Sequence, residues 1–116
     1  ERQLRALAVR ALTSAGYTVL GAADGREALA MLDARGGPVD LVITDLHMPG
    51  LDGEGLFREA RTHYPGLRFA FSTGDADVSP DLRSALGDEL RVLHKPYAIE
   101  VLRELVRSVV GAGKPR

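Results

Sequence analysis

The sequence predicts an α/β fold, a doubly wound parallel sheet with helices on both faces, and three observations predict it. Helix-period segments and strand-like segments alternate along nearly all of the 116 residues. The strand-like runs "VDLVIT" and "LRFAFST" are almost wholly apolar, which is how strands covered on both faces read. The segments between them are of crossover length, and such crossovers are right-handed helices that bring strands back in parallel. A chain of this length supplies one hydrophobic core, so a single domain is expected.

Taken in order, Leu4, Leu7, Ala8, Ala11 and Leu12 fall at the spacing of one helix face, and Gly16 tolerates the left-handed backbone that ends a helix. "YTVLGA", residues 17–22, is a short β-rich run and is predicted as a strand. In "ADGREALAML" Asp24 is the N-cap, and Glu27 three residues later completes a capping-box pattern. The breaker "RGGP" leads into the strand "VDLVIT". "DGEGLFREARTHY" reads as a helix ending before Pro65, and "LRFAFST" as a second buried strand. Ser79 and Pro80 suit the N-cap and first position of a short helix, "DLRSAL". The last pair is a strand in "LRVLH" and a helix in "IEVLRELVRSVV", with Val101, Leu102, Leu105, Val106 and Val109 on one side. "GAGKPR", residues 111–116, is a polar tail or linker, which leaves 1–110 as the domain. The reading yields five helices, four strands and a helix in first place. In a βα series the first helix follows a strand, so a strand is expected ahead of Glu1.

Composition removes several function classes. Hydrophobic residues make up 45% and charged residues 27%, the balance of an ordinary globular protein. No apolar run approaches the roughly 20 residues that span a bilayer, and the charged N-terminal segment does not resemble a signal peptide. With no cysteine there is no disulfide or thiol chemistry, in keeping with a cytoplasmic location. A formal charge of −1 with both signs interspersed offers no footprint for direct binding to nucleic acid.

The chemistry is expected at one edge. In an open parallel sheet, ligands bind outside the carboxyl ends of the strands. The polar residues at those ends are Asp45, then Ser72 and Thr73, then His94 and Lys95. Singly, each has a plainer reading: an aspartate caps a turn, a threonine before Gly74 belongs to the turn itself, and a lysine is solvated. Together they bring an acid, a hydroxyl and an amine to one place from three strands, which suits the handling of phosphate.

These pieces resemble the receiver domain of two-component response regulators and hybrid sensor histidine kinases. The resemblance rests on "GYTVLGAADGREAL", "DLVITDLHMPGLDG", "FAFSTGD" and "VLHKPY", in order and correctly spaced over essentially the whole chain. It implies a flavodoxin-like sheet of order 2-1-3-4-5 whose first strand lies ahead of Glu1. By that similarity Asp45 is the phosphoacceptor, Thr73 the conserved hydroxyl residue and Lys95 the conserved lysine, with a cis bond to Pro96. A sensor histidine kinase or phosphotransfer domain is the implied donor. A downstream output domain or protein is the implied target, and a homodimer is left open. Mg²⁺ is the implied cofactor, held by Asp45 and by the backbone carbonyl of His47. The family's other ligands are an acidic pair at the end of the first strand, without which the metal is held weakly or not at all.

The sequence departs from the family at Val92, where many receivers have an aromatic ring that reports phosphorylation. Asp75, two residues after Thr73, and His47, two after Asp45, take positions that in the family influence how long the phosphoryl group survives. Asp77, near Asp75, is a further acid that serves loop amides more readily than a metal. His63 reads as a surface residue at a helix end. Two other functions stay open: a receiver-like protein-binding module that is never phosphorylated, and an aspartate-nucleophile phosphatase of the haloacid dehalogenase type. The latter needs a second acid two residues after the nucleophile, where this chain has His47.

Overall fold

Three short polar side chains start helices where the sequence places them. In the computed structural model, which describes residues 2–36, 39–48, 50–74 and 78–111, Asp24 caps the helix Gly25–Arg35 by accepting from the Glu27 N–H. The Glu27 carboxylate reaches back to the Ala23 N–H, one residue ahead of the cap. Asp52 caps Gly53–His63 through the Gly55 N–H at 2.9 Å, and Ser79 caps Pro80–Leu86 through the Leu82 N–H at 3.1 Å. Each cap satisfies a donor that the first helical turn leaves without an intrahelical partner, worth about 1 kcal/mol.

In chain order the elements are α1 (Arg2–Ser14), α2 (Gly25–Arg35), β1 (Val42–Asp45), α3 (Gly53–His63), β2 (Phe69–Thr73), α4 (Pro80–Leu86), a 3₁₀ turn at Gly87–Glu89, β3 (Val92–His94) and α5 (Ile99–Val110). They form two compact units. Residues 22–96 make one; α1 with the segment after it, together with α5, belongs to the other.

In the first unit the strands pair in parallel in the order β1-β2-β3. That is the 3-4-5 half of the expected 2-1-3-4-5 sheet. The register sets Val42 beside Phe69 and Asp45 beside Ser72, then Phe71 beside Val92 and Thr73 beside His94. Central β2 is buried along its whole length. Expected to be covered on both faces, β1 is instead buried only at Thr44 and partly exposed at Val42, Ile43 and Asp45, because it lies at the edge of this sheet.

Aromatic packing joins α3 to the sheet. The Phe57 ring stands edge-on to Phe69 at 5.3 Å and to Phe71 at 6.1 Å, an arrangement worth about 0.5–1.5 kcal/mol per pair beyond the area buried. Leu32, Leu46, Leu56, Val78 and Leu82 complete this core.

The predicted strand at 17–22 does not form: none of its residues belongs to a ladder. A strand exists only through a neighbour's backbone, and in the order 2-1-3-4-5 the second strand's sole neighbour is the first. Tyr17 instead returns its N–H to the Leu12 carbonyl at 3.1 Å, after Gly16 turns the chain at φ 101°. Its hydroxyl donates to the Gly111 carbonyl at 2.6 Å.

The helical faces need two corrections in this second unit. On α5 the stripe with the least exposure is Leu102, Leu105, Val106 and Val109, the i, i+3, i+4, i+7 set. Val101 lies about 100° around the helix from Leu102 and is 54% exposed. On α1, Ala11 and Leu12 are buried while Leu7 is 43% exposed. Among the described residues no helix is long and apolar enough to cross a membrane.

Candidate functional site at the carboxyl edge of the sheet

Parallel pairing brings the ends of β1, β2 and β3 to one edge, and backbone bonds continue the ladder past the strands. The Leu46 N–H donates to the Ser72 carbonyl at 2.9 Å, and the Lys95 N–H donates to the Thr73 carbonyl at 2.9 Å. Asp45 and Lys95, 50 residues apart in sequence, are thereby held on rigid neighbours. The Lys95 ammonium lies 2.9 Å from Asp45 Oδ2, with both side chains about one quarter exposed at 26% and 25%. The peptide bond from Lys95 to Pro96 is cis.

The other carboxylate oxygen has its own donor. Ser72, beside Asp45 in the ladder, donates its hydroxyl to Asp45 Oδ1. The Thr44 hydroxyl donates to the Asp45 backbone carbonyl at 3.1 Å. Burial raises the Asp45 pKa, but the hydrogen bonds from Ser72 and Lys95 and the charge of Lys95 outweigh it, so the carboxyl sits below its ordinary value of 3.8. Donors that prefer the charged form favour ionisation. Asp45 is therefore a carboxylate at neutral pH.

Glycine makes the approach of α3 to this edge feasible. Gly53 donates its N–H to the Leu46 carbonyl at 3.3 Å, and a Cβ built on it would collide with the Asp45 carbonyl oxygen and meet Leu46 Cα at 3.1 Å. Gly50, at φ 73°, turns the chain between Asp45 and α3 in the left-handed region that suits glycine.

Of the residues expected to act, the structure brings Asp45 and Lys95 into contact. Thr73 ends the adjoining strand, is 2% exposed and supplies the carbonyl that holds Lys95. His47 is exposed in the loop after Asp45. Val92 is partly buried and packs on the aromatic core, and Pro96 is exposed at the sheet edge. His63 and His94 are exposed. Asp75, Asp77, Pro49 and the tail 112–116 lie outside the described residues. Ser72 was visible only as one of two adjacent hydroxyls, and the register is the signal that distinguishes it.

For a divalent cation the described residues fall short. Among them no group of three or more acidic, histidine or cysteine side chains could hold a metal ion. Asp45 offers one carboxylate whose two oxygens already accept hydrogen bonds, and Mg²⁺ demands an octahedron of oxygen ligands. These residues alone do not make a Mg²⁺ site.

The site is thus an ionised aspartate at the open edge of a parallel sheet, with a lysine on one carboxylate oxygen and a hydroxyl on the other. The chain belongs to the response regulator receiver domain family, whose model matches residues 1–107. Sensor kinase CckA of Brucella abortus is 37% identical over 110 residues, which are 95% of this chain but 12% of that protein. The response regulator receiver protein CpdR of the same organism is 35% identical over 109 residues, 94% of this chain and 87% of its own length. Among solved structures, the receiver domain of the hybrid histidine kinase CckA superposes with a TM-score of 0.79 at 34% identity, covering 95% of this chain and 92% of that one. The Thermotoga maritima response regulator TrrA, solved in complex with Mg²⁺-BeF, gives 0.79 at 29% identity with the same coverages of 95% and 92%. The chain is thus a phosphoacceptor signalling domain of the two-component type, and Mg²⁺ binding is general in its family.

Proposed function

We propose that Asp45 is the residue that accepts the phosphoryl group, from a histidine of a sensor kinase or phosphotransfer domain. In the transfer, a carboxylate oxygen of Asp45 forms a bond to phosphorus as the P–N bond to the donor imidazole breaks. The electron pair of that bond stays on the imidazole nitrogen. Such a reaction depends on positioning and charge neutralisation more than on covalent assistance. Lys95 supplies the neutralising charge, moving its ammonium from the carboxylate to a phosphoryl oxygen. Thr73, at the neighbouring strand end, is assigned the second donor to the phosphoryl group.

The observation that carries this reading is the 2.9 Å pair between Lys95 Nζ and Asp45 Oδ2 at the ligand-binding edge. Of this chain's own residues, Asp45 and the backbone carbonyl of His47 are the ones that would face Mg²⁺, which would supply further neutralising charge. Phosphorylation then biases a two-state equilibrium at the edge near Thr73 and Lys95 and alters affinity for an output domain or protein. The domain is assigned a signalling role and a cytoplasmic location, with a sensor histidine kinase or phosphotransfer domain as its partner.

The reading is tested by incubating the chain, in its natural sequence context, with acetyl phosphate and Mg²⁺ and weighing the product. A Mg²⁺-dependent phosphoryl adduct that Asp45→Asn abolishes is the expected result. No adduct would leave a protein-binding module that works without phosphate.

A further inference from the structure

We propose that Ser72 is a positioning residue for phosphoryl chemistry at Asp45: it holds Oδ1 as the oxygen that does not react, directs Oδ2 to phosphorus, and speeds loss of the phosphoryl group. The inference rests on Asp45 being the phosphoacceptor and concerns which of its oxygens reacts.

Ser72 interrupts the apolar run Phe69, Ala70 and Phe71, which are at most 1% exposed, and is itself 4% exposed. A hydroxyl buried there is costly unless bonded. Its bond goes to Asp45 Oδ1, its neighbour across the ladder, while Lys95 takes Oδ2. The two oxygens therefore differ before any donor arrives. Oδ2 faces a long, flexible cation that can transfer to a phosphoryl oxygen. Oδ1 faces a short hydroxyl fixed to the central strand, which has no comparable freedom to leave.

In the acyl phosphate that forms, Oδ2 bridges carbon and phosphorus, and Oδ1 becomes a carbonyl oxygen still beside Ser72. On hydrolysis the oxygen of water bonds to phosphorus as the P–Oδ2 bond breaks. The bond's electron pair returns to the carboxylate, and both protons of the water leave with dihydrogen phosphate. Negative charge spreads over Oδ1 and Oδ2 as the bond breaks, so the Ser72 hydrogen bond is stronger in the transition state than in the acyl phosphate.

The test uses the chain in its natural sequence context, phosphorylated with acetyl phosphate and Mg²⁺, freed of donor and followed by mass. Ser72→Ala should still gain the adduct but lose it at least about threefold more slowly, the effect of removing one charge-assisted hydrogen bond in part. Ser72→Thr should restore the fast decay and Ser72→Val, of the same shape without the hydroxyl, should not. Decay of Ser72→Ala at the wild-type rate, or Thr and Val variants that decay alike, would overturn the inference. No adduct on the wild-type chain would instead overturn the reading of Asp45, and this inference with it.

Discussion

Replacing Gly53 by alanine tests how the edge is built. The added Cβ would collide with the Asp45 carbonyl oxygen and would lie 2.9 Å from the Asp45 carbonyl carbon and 3.1 Å from Leu46 Cα. All three are backbone atoms next to the end of β1, so relief requires α3 or the strand end to move. Overpacking of this kind costs about 1–3 kcal/mol. Alanine recovers up to about 1 kcal/mol of helix propensity, and less at the first helical position. The expected net loss is about 1–2 kcal/mol, or roughly 5–10 °C in Tm for a domain of this size. Gly55→Ala is the matched control in the same helix: its Cβ meets Leu51 Cδ1 at 2.7 Å, the end of a side chain that can rotate away. Urea denaturation of both variants decides the matter. Gly55→Ala should be neutral or slightly stabilising, and a Gly53→Ala variant equally stable would refute the close approach of α3 to the Asp45 backbone.

Three further outcomes are expected. Lys95→Met should cost about 1–3 kcal/mol at pH 7, since it leaves a partly buried carboxylate with one side-chain donor fewer. The folded pKa of Asp45 lies below its ordinary 3.8, so its ionised interactions stabilise the fold above about pH 4 and are lost as pH falls through the folded value. The gap between wild type and Lys95→Met should therefore close in urea titrations repeated at progressively more acidic pH. A gap that stays constant would place its cause in packing rather than charge. Ser79→Ala should cost about 1 kcal/mol by uncapping α4, read as a lower urea midpoint; it also removes the hydroxyl that donates to Glu54 at 2.9 Å. Phe57→Ala should cost about 3–5 kcal/mol by emptying the centre of the aromatic core, with an unchanged midpoint contradicting the packing described.

Local signals in the sequence were the most legible ones. The amphipathic run from Ile99 matched α5 at both ends because its period and its flanking residues act within the segment. Asp24 and Ser79 were legible for the same reason: a cap needs only its own first turn. What depended on a distant partner was not. "YTVLGA" has the composition of a strand and makes no ladder, since composition cannot supply the neighbour. β1 reads as covered on both faces and is fully buried only at Thr44. At the site, Asp45 and Lys95 were legible because Asp45 ends one strand and Lys95 follows another at the same edge. Ser72 was not separable from Thr73, because the choice between adjacent hydroxyls is made by register, and register is a property of the pairing of two strands.

The central claim is that Asp45 is the nucleophile toward phosphorus. Borohydride reduces an acyl phosphate at an aspartate to homoserine, so the modified residue can be located by peptide mass spectrometry after phosphorylation in the chain's natural sequence context. The account predicts homoserine at position 45, dependent on both phosphodonor and Mg²⁺. Homoserine at another acid such as Asp52, or none at all after the same treatment, would contradict it.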